Sequence, residues 1–144
     1  MVEKQTRHLA AIMFTDVAGY TALMQRDEQK AREIRDRHRT VLADTLGLHG
    51  GELLEHYGDG SLSLFTSSIQ AVCCALEIQE TLSGPPVVPL RIGIHTGDVV
   101  REDRGVYGDG VNVASRVHGL CPPGEVFISG KVFDDVKNQP GMLI

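Results

Sequence analysis

The segment AIMFTDVAGYT, residues 11–21, joins an apolar run to a carboxylate and a turn of small residues. Residues 9–14 are apolar and are followed by turn-forming residues, which predicts a buried β-strand. Asp16 should then lie at the C-terminal end of this strand, with a helix beginning at Tyr20. A carboxylate there is a hard ligand for a metal ion, and neighbouring backbone N–H groups can bind a phosphate. The alternative is that Asp16 only caps the helix.

A second carboxylate lies in the segment EHYGDGSLSLF, residues 55–65. Gly58 and Gly60 flank Asp59 between two apolar runs, which predicts a hairpin with strands 52–57 and 61–65 and Asp59 at its tip. An Asp in a tight turn is usually structural. Two carboxylates at adjacent strand ends, however, can hold two divalent ions about 4 Å apart around a triphosphate.

A third segment, GDGVNVASR, covers residues 108–116. With it, the chain resembles the class III nucleotidyl cyclases, whose catalytic domain carries an F-x-D-(I/V)-x-G-(F/Y)-(T/S) stretch, a G-D hairpin and a third signature of this kind in the same order. The match covers residues 8–137. The resemblance implies an α+β, ferredoxin-like fold, with a mainly antiparallel sheet and helices packed on one face.

The resemblance also implies an activity, namely conversion of a purine nucleoside triphosphate to its 3′,5′-cyclic nucleotide and pyrophosphate in signal transduction. Two Mg²⁺ or Mn²⁺ ions would be held by Asp16, Asp59 and the backbone of Val17. Phosphates would meet the backbone N–H groups of Ala18, Gly19, Tyr20 and Thr21.

Two catalytic residues are implied on a helix, where Asn112 would fix the ribose and Arg116 would meet charge on the α-phosphoryl oxygens. These residues lie four apart and so share one helix face. In the family they come from the partner subunit. The resemblance therefore implies a head-to-tail homodimer with two shared interfacial sites.

The positions implied to recognise the purine are Glu55 and Gly105, where adenylyl cyclases usually have Lys and Asp or Thr. Glu at the first position resembles the guanylyl cyclases, because a carboxylate accepts from guanine N1–H and the 2-amino group. Gly105 has no side chain that could contact the base. Bacterial relatives are mostly adenylyl cyclases, so ATP is expected before GTP. Strand alternation predicts that Glu55 faces the same side as Leu53 and Tyr57, with His56 opposite.

Composition indicates one globular domain of 144 residues, with 42% apolar and 23% charged residues. We predict a flexible lead-in over residues 1–7 and the cyclase domain over residues 8–144. The family domain normally continues through another hairpin with a phosphate-binding Lys, and we expect residues 8–144 to lack this hairpin. The net charge of −5 argues against nucleic acid as a partner. Without an apolar run near 20 residues or a signal peptide, we expect a cytoplasmic location and no membrane contact.

Periodicity and capping residues predict the other elements. The first long helix should begin after Asp27 and be stopped by Gly47, Gly50 and Gly51. A second should be capped by Ser67 or Ser68, with an apolar stripe of Ile69, Val72, Cys73 and Leu76. Further along we predict a strand over 90–100 that enters a turn, a charged mobile loop over 101–105, a helix capped by Asp109, a strand over 125–129 and a helix over 131–137. The cysteines at 73, 74 and 121 should be reduced thiols.

Two other functions compete with catalysis. Glu55 and Gly105 favour a catalytically silent cyclase-homology domain that serves as a dimerising or nucleotide-sensing module. Retention of four residues of the family's site counts against it, namely Asp16, Asp59, Asn112 and Arg116. A polymerase-palm domain of the diguanylate cyclase kind would need a G-G-D/E-E-F-like hairpin, which YGDGS at residues 57–61 does not supply. Regulatory domains are expected elsewhere in the native protein.

Overall fold

The computed structural model describes residues 5–103 and 105–141. In this part of the chain the elements are, in order, β1 (Gln5–Val17), α1 (Tyr20–Arg26), α2 (Glu28–His49), β2 (Glu52–Tyr57), β3 (Gly60–Phe65), α3 (Ser68–Ser83), β4 (Leu90–Glu102), β5 (Gly105–Tyr107), α4 (Asp109–Gly119), β6 (Val126–Ile128) and α5 (Gly130–Val136). None of the described helices is both long and apolar enough to cross a bilayer.

The strands form one sheet in the order β2-β3-β1-β4-β5, with antiparallel neighbours throughout. β6 joins it by pairing in parallel with residues 92–94 of β4. The centre of the sheet is the long pair β1 and β4, in register from Gln5 opposite Glu102 to Val17 opposite Leu90. The predicted α+β class with a mainly antiparallel sheet is therefore confirmed.

Alternate residues of β1 enter two separate apolar clusters. Ala11 and Met13 contact the larger cluster, which includes the buried sides of α2, α3 and α5. Ile12 and Phe14 point the other way and pack with Ala114 of α4. The predicted packing of helices on one face thus describes the long helices α2 and α3, while α4 covers the opposite face.

The limits of α2 are set by its capping residues. The Asp27 side chain accepts a hydrogen bond from the Lys30 N–H, as the sequence predicts. The predicted stop at Gly50 is confirmed, whereas Gly47 lies inside the helix, which continues to His49. It ends at Gly50, whose φ of 71° is left-handed and favours glycine.

Helix α3 begins as predicted, with the Ser67 side chain accepting from the N–H groups of Ile69 and Gln70. Its predicted buried stripe is confirmed at Val72 and wrong at Leu76, which is 48% exposed, while Cys73 is only partly buried. The buried face is rotated toward Ala71, Cys74, Ala75, Ile78 and Leu82. Residues 71–76 are apolar all around the helix, so periodicity alone allows either face, and the small Ala side chains permit closer packing. Burial raises the pKa of the Cys74 thiol to about 12, in keeping with a reduced thiol.

The predicted mobile loop at 101–105 is also wrong. β4 does not turn at Val100 but continues to Glu102, and β5 returns beside it with Arg101 opposite Val106 and Val100 opposite Tyr107. Arg104 lies outside the described residues.

The predicted flexible lead-in is wrong from Gln5 onward, because β1 begins there and pairs with the end of β4. Residues 1–4 and 142–144 lie outside the described residues.

Two glycines of β4 bring α4 directly onto the sheet. A Cβ at Gly93 would lie 2.3 Å from the His118 Cα, and one at Gly97 would lie 3.2 Å from the Gly110 Cα. The helix is not capped by Asp109 as predicted, because Gly108 takes the cap position with a φ of 124° and Asp109 is the first helical residue. Glycine at these positions lets the α4 backbone reach the strand.

Candidate active site

A cavity of about 500 Å³ opens where β1 ends, beside the β2–β3 hairpin and the start of β4. Its volume is in the range of small-molecule sites. The lining residues are Asp16, Val17, Ala18, Gly19, Tyr20, Thr21, Ala22, Asp59, Arg91, Cys121 and Pro123. All residues predicted to bind metal or phosphate therefore lie around one cavity.

The hairpin turn carries Asp59 to the end of β1. Gly58 has a φ of 59°, a conformation that suits the first central residue of a tight hairpin turn. At Gly60 a Cβ would lie 2.7 Å from the Thr15 carbonyl oxygen, so only glycine allows this approach of β3 to β1. Asp59 Oδ2 then accepts a hydrogen bond of 2.9 Å from the Val17 N–H. Asp59 is thereby tied to the residue next to Asp16.

Asp16 lies opposite Arg91 in the β1–β4 ladder and pairs with its guanidinium. Arg91 Nε donates to Oδ1 at 2.8 Å and Nη2 donates to Oδ2 at 2.5 Å. His118 of α4 brings its Nε2 to 3.4 Å from Oδ1. Burial alone would raise the pKa of Asp16, but His118 and Arg91 together hold the pKa well below its usual range. The carboxylate is therefore ionised at neutral pH.

A buried polar cluster lies behind the two carboxylates. The Thr15 hydroxyl is 2.5 Å from the Ser61 Oγ and 3.0 Å from the His38 Nε2, which connects β1, β3 and α2. Burial lowers the pKa of His38 to about 4, helped by His56 and Arg39, so His38 is neutral at pH 7. This cluster links β1, which carries Asp16, to β3, which begins directly after Asp59.

One predicted phosphate contact does not fit the hydrogen bonding. The Ala18 N–H already donates to the Pro89 carbonyl at 2.8 Å, so Ala18 can line the cavity but cannot offer its amide. Gly19 takes the N-cap position of α1 in a left-handed conformation, with a φ of 73°. Tyr20 and Thr21 follow in the first turn, where N–H groups have no acceptor within the helix. The predicted phosphate role is thereby narrowed to Gly19, Tyr20 and Thr21.

Asn112 and Arg116 are both exposed on α4, and neither lines the cavity that contains Asp16 and Asp59. α4 turns its buried Gly110 and Ala114 toward the sheet. Their predicted catalytic roles stay predictions, and within one chain the two halves of the predicted site are separate.

Glu55 and Gly105 do come together, in a second cavity of about 250 Å³ that Arg101 also lines. The predicted orientation of Glu55 needs one correction. A bulge shifts the register so that Leu53 lies opposite Ser63 but Glu55 lies opposite Leu62. Glu55 therefore faces away from Leu53.

The rest of the predicted alternation agrees with the contacts. Phe14 and Glu55 both lie opposite Leu62 and so face the same side of the sheet. The Tyr57 ring contacts Phe14 with the centroids 6.2 Å apart, so Tyr57 shares this face. His56 lies opposite Ser61 on the other face. At Gly105 the φ of 137° favours glycine, so the missing side chain belongs to the local backbone conformation.

Sequence reasoning missed two residues that contact Asp16, namely Arg91 and His118. A detectable signal existed for Arg91, because a charged residue inside a predicted buried strand needs a partner. None existed for His118, whose position depends on the close approach of α4 to Gly93.

The donor set suits divalent ions that prefer oxygen. Among the described residues no group of three His, Cys, Asp or Glu side chains could hold a metal by itself. Mg²⁺ is commonly held by one or two carboxylates plus water and substrate phosphates, which is what Asp16 and Asp59 at a shared cavity can provide. The residues present therefore fit ions that bind together with a phosphate ligand.

Comparison with known proteins gives consistent results. A family model described as the adenylate and guanylate cyclase catalytic domain matches residues 2–141. A crystal structure of an adenylate/guanylate cyclase/hydrolase from Silicibacter pomeroyi superposes with a TM-score of 0.87 and 33% identity, covering 96% of this chain and 85% of that one.

Two sequence relatives extend the likeness. A Rhizobium meliloti (strain 1021) protein with the provisional name adenylate cyclase 3 is 37% identical over 95% of this chain. An adenylate cyclase of Streptomyces coelicolor is 31% identical over 88% of it. The chain spans only 25% and 34% of the lengths of these two relatives. The extent of the family match, together with the fold, shows that this chain belongs to the family of adenylate and guanylate cyclase catalytic domains.

Proposed function

We propose that the domain converts a purine nucleoside triphosphate to its 3′,5′-cyclic nucleotide and pyrophosphate, as part of signal transduction. The observation that carries this proposal is the placement of Asp16 and Asp59 at one cavity within a cyclase-family fold. ATP is proposed before GTP, because the two sequence relatives reported above carry the name adenylate cyclase.

In the proposed reaction the ribose 3′-oxygen attacks the α-phosphorus. A new P–O bond closes the ring, the bond to the β-phosphate oxygen breaks, pyrophosphate leaves, and the hydroxyl proton passes to water. Two bound Mg²⁺ or Mn²⁺ ions would lower the pKa of the 3′-hydroxyl and neutralise phosphate charge. The protein contributes mainly position and electrostatics.

Three parts of the chain would bind the triphosphate end of the substrate. Asp16, Asp59 and the Val17 backbone would hold the ions. The amides of Gly19, Tyr20 and Thr21 would face phosphate oxygens. Arg91 also lines the cavity, and a guanidinium there favours an anionic ligand once a metal ion compensates Asp16.

The proposed active form is a head-to-tail homodimer. Asn112 and Arg116 are exposed and lie outside the cavity of their own chain, so a second chain would have to supply them. Two identical chains related by a two-fold axis would then form two equivalent sites. Glu55 and Gly105 would accompany Asn112 and Arg116, with Glu55 contacting the purine and Gly105 lying beside it.

The native protein would act in the cytoplasm and carry regulatory domains. The relatives are three to four times longer than the matched region, which leaves room for such domains. A catalytically silent, nucleotide-sensing module remains the second candidate. The absence of a side chain at Gly105 supports it, because one predicted contact to the purine is missing.

One assay tests catalysis against the silent alternative. The domain is incubated with Mn²⁺ and either ATP or GTP, and cyclic nucleotide is separated by chromatography, with Asp59→Asn as the matched control. We expect product from the unmodified chain and none from the variant. No product from a dimeric chain that still binds nucleotide would favour the sensing module.

A further inference from the structure

His118 lies near Asp16, as Arg91 does, but unlike Arg91 it has no role in the proposed mechanism. Its Nε2 lies 3.4 Å from Asp16 Oδ1, and the side chains are 13% and 22% exposed, respectively. The Nε2 atom is shielded from solvent and makes no hydrogen bond among the described residues, and the Asp16 carboxylate is the ionic partner within reach. Buried polar groups are normally hydrogen-bonded, so an Nε2–H at this position would be directed at Asp16 Oδ1.

The position of His118 is built into the fold on two sides. On the backbone side, a Cβ at Gly93 would lie only 2.3 Å from the His118 Cα, so α4 can pack this close to β4 only because residue 93 is glycine. At its ring, Phe14 packs with the centroids 6.1 Å apart. Both neighbours limit the freedom of the imidazole and keep Nε2 at Asp16.

His118 and Arg91 approach the carboxylate from different elements, α4 and β4. Arg91 donates to both oxygens, whereas His118 lies near Oδ1. Two donors from two elements fix the plane of the carboxylate more firmly than one. An outer hydrogen-bond partner of a metal-binding side chain typically changes metal affinity by 10–100-fold, because it orients the ligand in advance.

We propose that His118 is a positioning residue that orients the Asp16 carboxylate for a divalent ion through its Nε2–H. The inference rests on the proposed function in one respect, since it takes Asp16 to be a metal ligand. His118 itself contacts neither metal nor substrate. Its effect is on metal affinity, and it requires a donor at the Nε2 position rather than a positive charge.

Two amide variants of His118 test whether the position of the N–H donor matters or only the presence of a polar side chain. The Gln side chain places its Nε2 near that of His, whereas Asn is one methylene shorter and cannot reach Oδ1. His118→Gln should therefore keep Mn²⁺ affinity within about twofold, and His118→Asn should weaken it about tenfold. His95→Gln is the matched control, since His95 is a partly buried histidine on the α4 side that contacts Ser129 instead of Asp16.

The measurement is Mn²⁺ binding to the purified domain by electron paramagnetic resonance, with folding checked by circular dichroism. If His118→Asn unfolds, His118→Leu removes the donor with an apolar side chain and should show the same loss. Asp16→Asn serves as the reference and should abolish the site. Unchanged Mn²⁺ affinity in the donor-removing variant, with binding lost in Asp16→Asn, would overturn the role of His118 alone. Full Mn²⁺ binding by Asp16→Asn would overturn the proposed metal site and this inference with it.

Discussion

Asp16 and Arg91 face each other across the central β1–β4 pair and form a two-pronged ion pair, although they are 75 residues apart in sequence. The side chains are only 22% and 31% exposed, so each charge depends on the other for compensation. A divalent ion at Asp16 would take over part of that compensation. Metal binding at Asp16 would therefore change how strongly this pair holds β1 to β4.

The first prediction concerns the two carboxylates. Asp16→Asn and Asp59→Asn should each lower cyclic nucleotide formation by more than about 100-fold, because each removes a charged oxygen ligand. Asp59→Asn should leave the free energy of unfolding nearly unchanged, since the amide oxygen still accepts from the Val17 N–H. Asp16→Asn should cost about 1–3 kcal/mol, because Arg91 loses its charged partner. Product formation and urea denaturation measure the two effects.

The control for this experiment is Asp98→Asn, which changes an exposed carboxylate on β4 away from the cavity. It should alter neither rate nor stability. Near-normal turnover by either site variant would contradict the two-metal mechanism.

The second prediction concerns the shared site. Asp16→Ala and Arg116→Ala should each be inactive alone, yet a mixture should regain activity, because a heterodimer keeps one complete pair of half-sites. With free exchange in an equal mixture, about a quarter of the unmodified rate is expected, since half of the dimers carry one working site of two. Product formation is measured after subunit exchange has been verified. Exchange without recovery would show that each site lies within a single chain.

The third prediction concerns the choice of base. Glu55 can accept from guanine N1–H and the 2-amino group, but Gly105 offers no side chain, so we expect weak discrimination between ATP and GTP. Glu55→Lys should shift the preference toward ATP, because an ammonium donates to adenine N1. The exchange is made alone, since any side chain at Gly105 would be strained at its φ of 137°.

Competition binding of the two nucleotides measures this preference. Asp103→Asn is the control, as it removes a negative charge from the same cavity without changing β2. A preference above about 100-fold in the unmodified domain, worth about 2.7 kcal/mol, would mean that another group recognises the purine.

The fourth prediction concerns pH and His38. Its pKa is lowered to about 4 from an ordinary value of 6.5, so the unfolded chain binds the proton more readily between these values. Stability from neutral His38 is present above pH 6.5 and declines as the pH falls toward 4. Between pH 7 and pH 5 we expect a loss of about 2 kcal/mol in the free energy of unfolding. His38→Gln should flatten this dependence in urea denaturation at both pH values, and an equal loss in the variant would assign it to other groups.

Local sequence was sufficient for much of the fold and for half of the site. The apolar run before Asp16 and the Gly-Asp-Gly turn predicted β1 and the hairpin, and Asp27 and Ser67 marked helix starts. These features depend on neighbours within a few residues, where periodicity and turn chemistry act. They also placed Asp16 and Asp59 at ends of strands that the structure brings to one cavity.

The remaining features depended on contacts between distant segments. Strand register put Arg91 opposite Asp16. A bulge turned Glu55 away from Leu53. The Pro89 carbonyl accepts the hydrogen bond of the Ala18 N–H, which is then not available to a phosphate. The predicted loop at 101–105 became a strand pair because the extended β1 offered β4 a partner along its whole length. The sequence by itself determined the order of elements and the two carboxylates. Register and the close approach of α4 over Gly93, which no local pattern encodes, decided which side chains surround them.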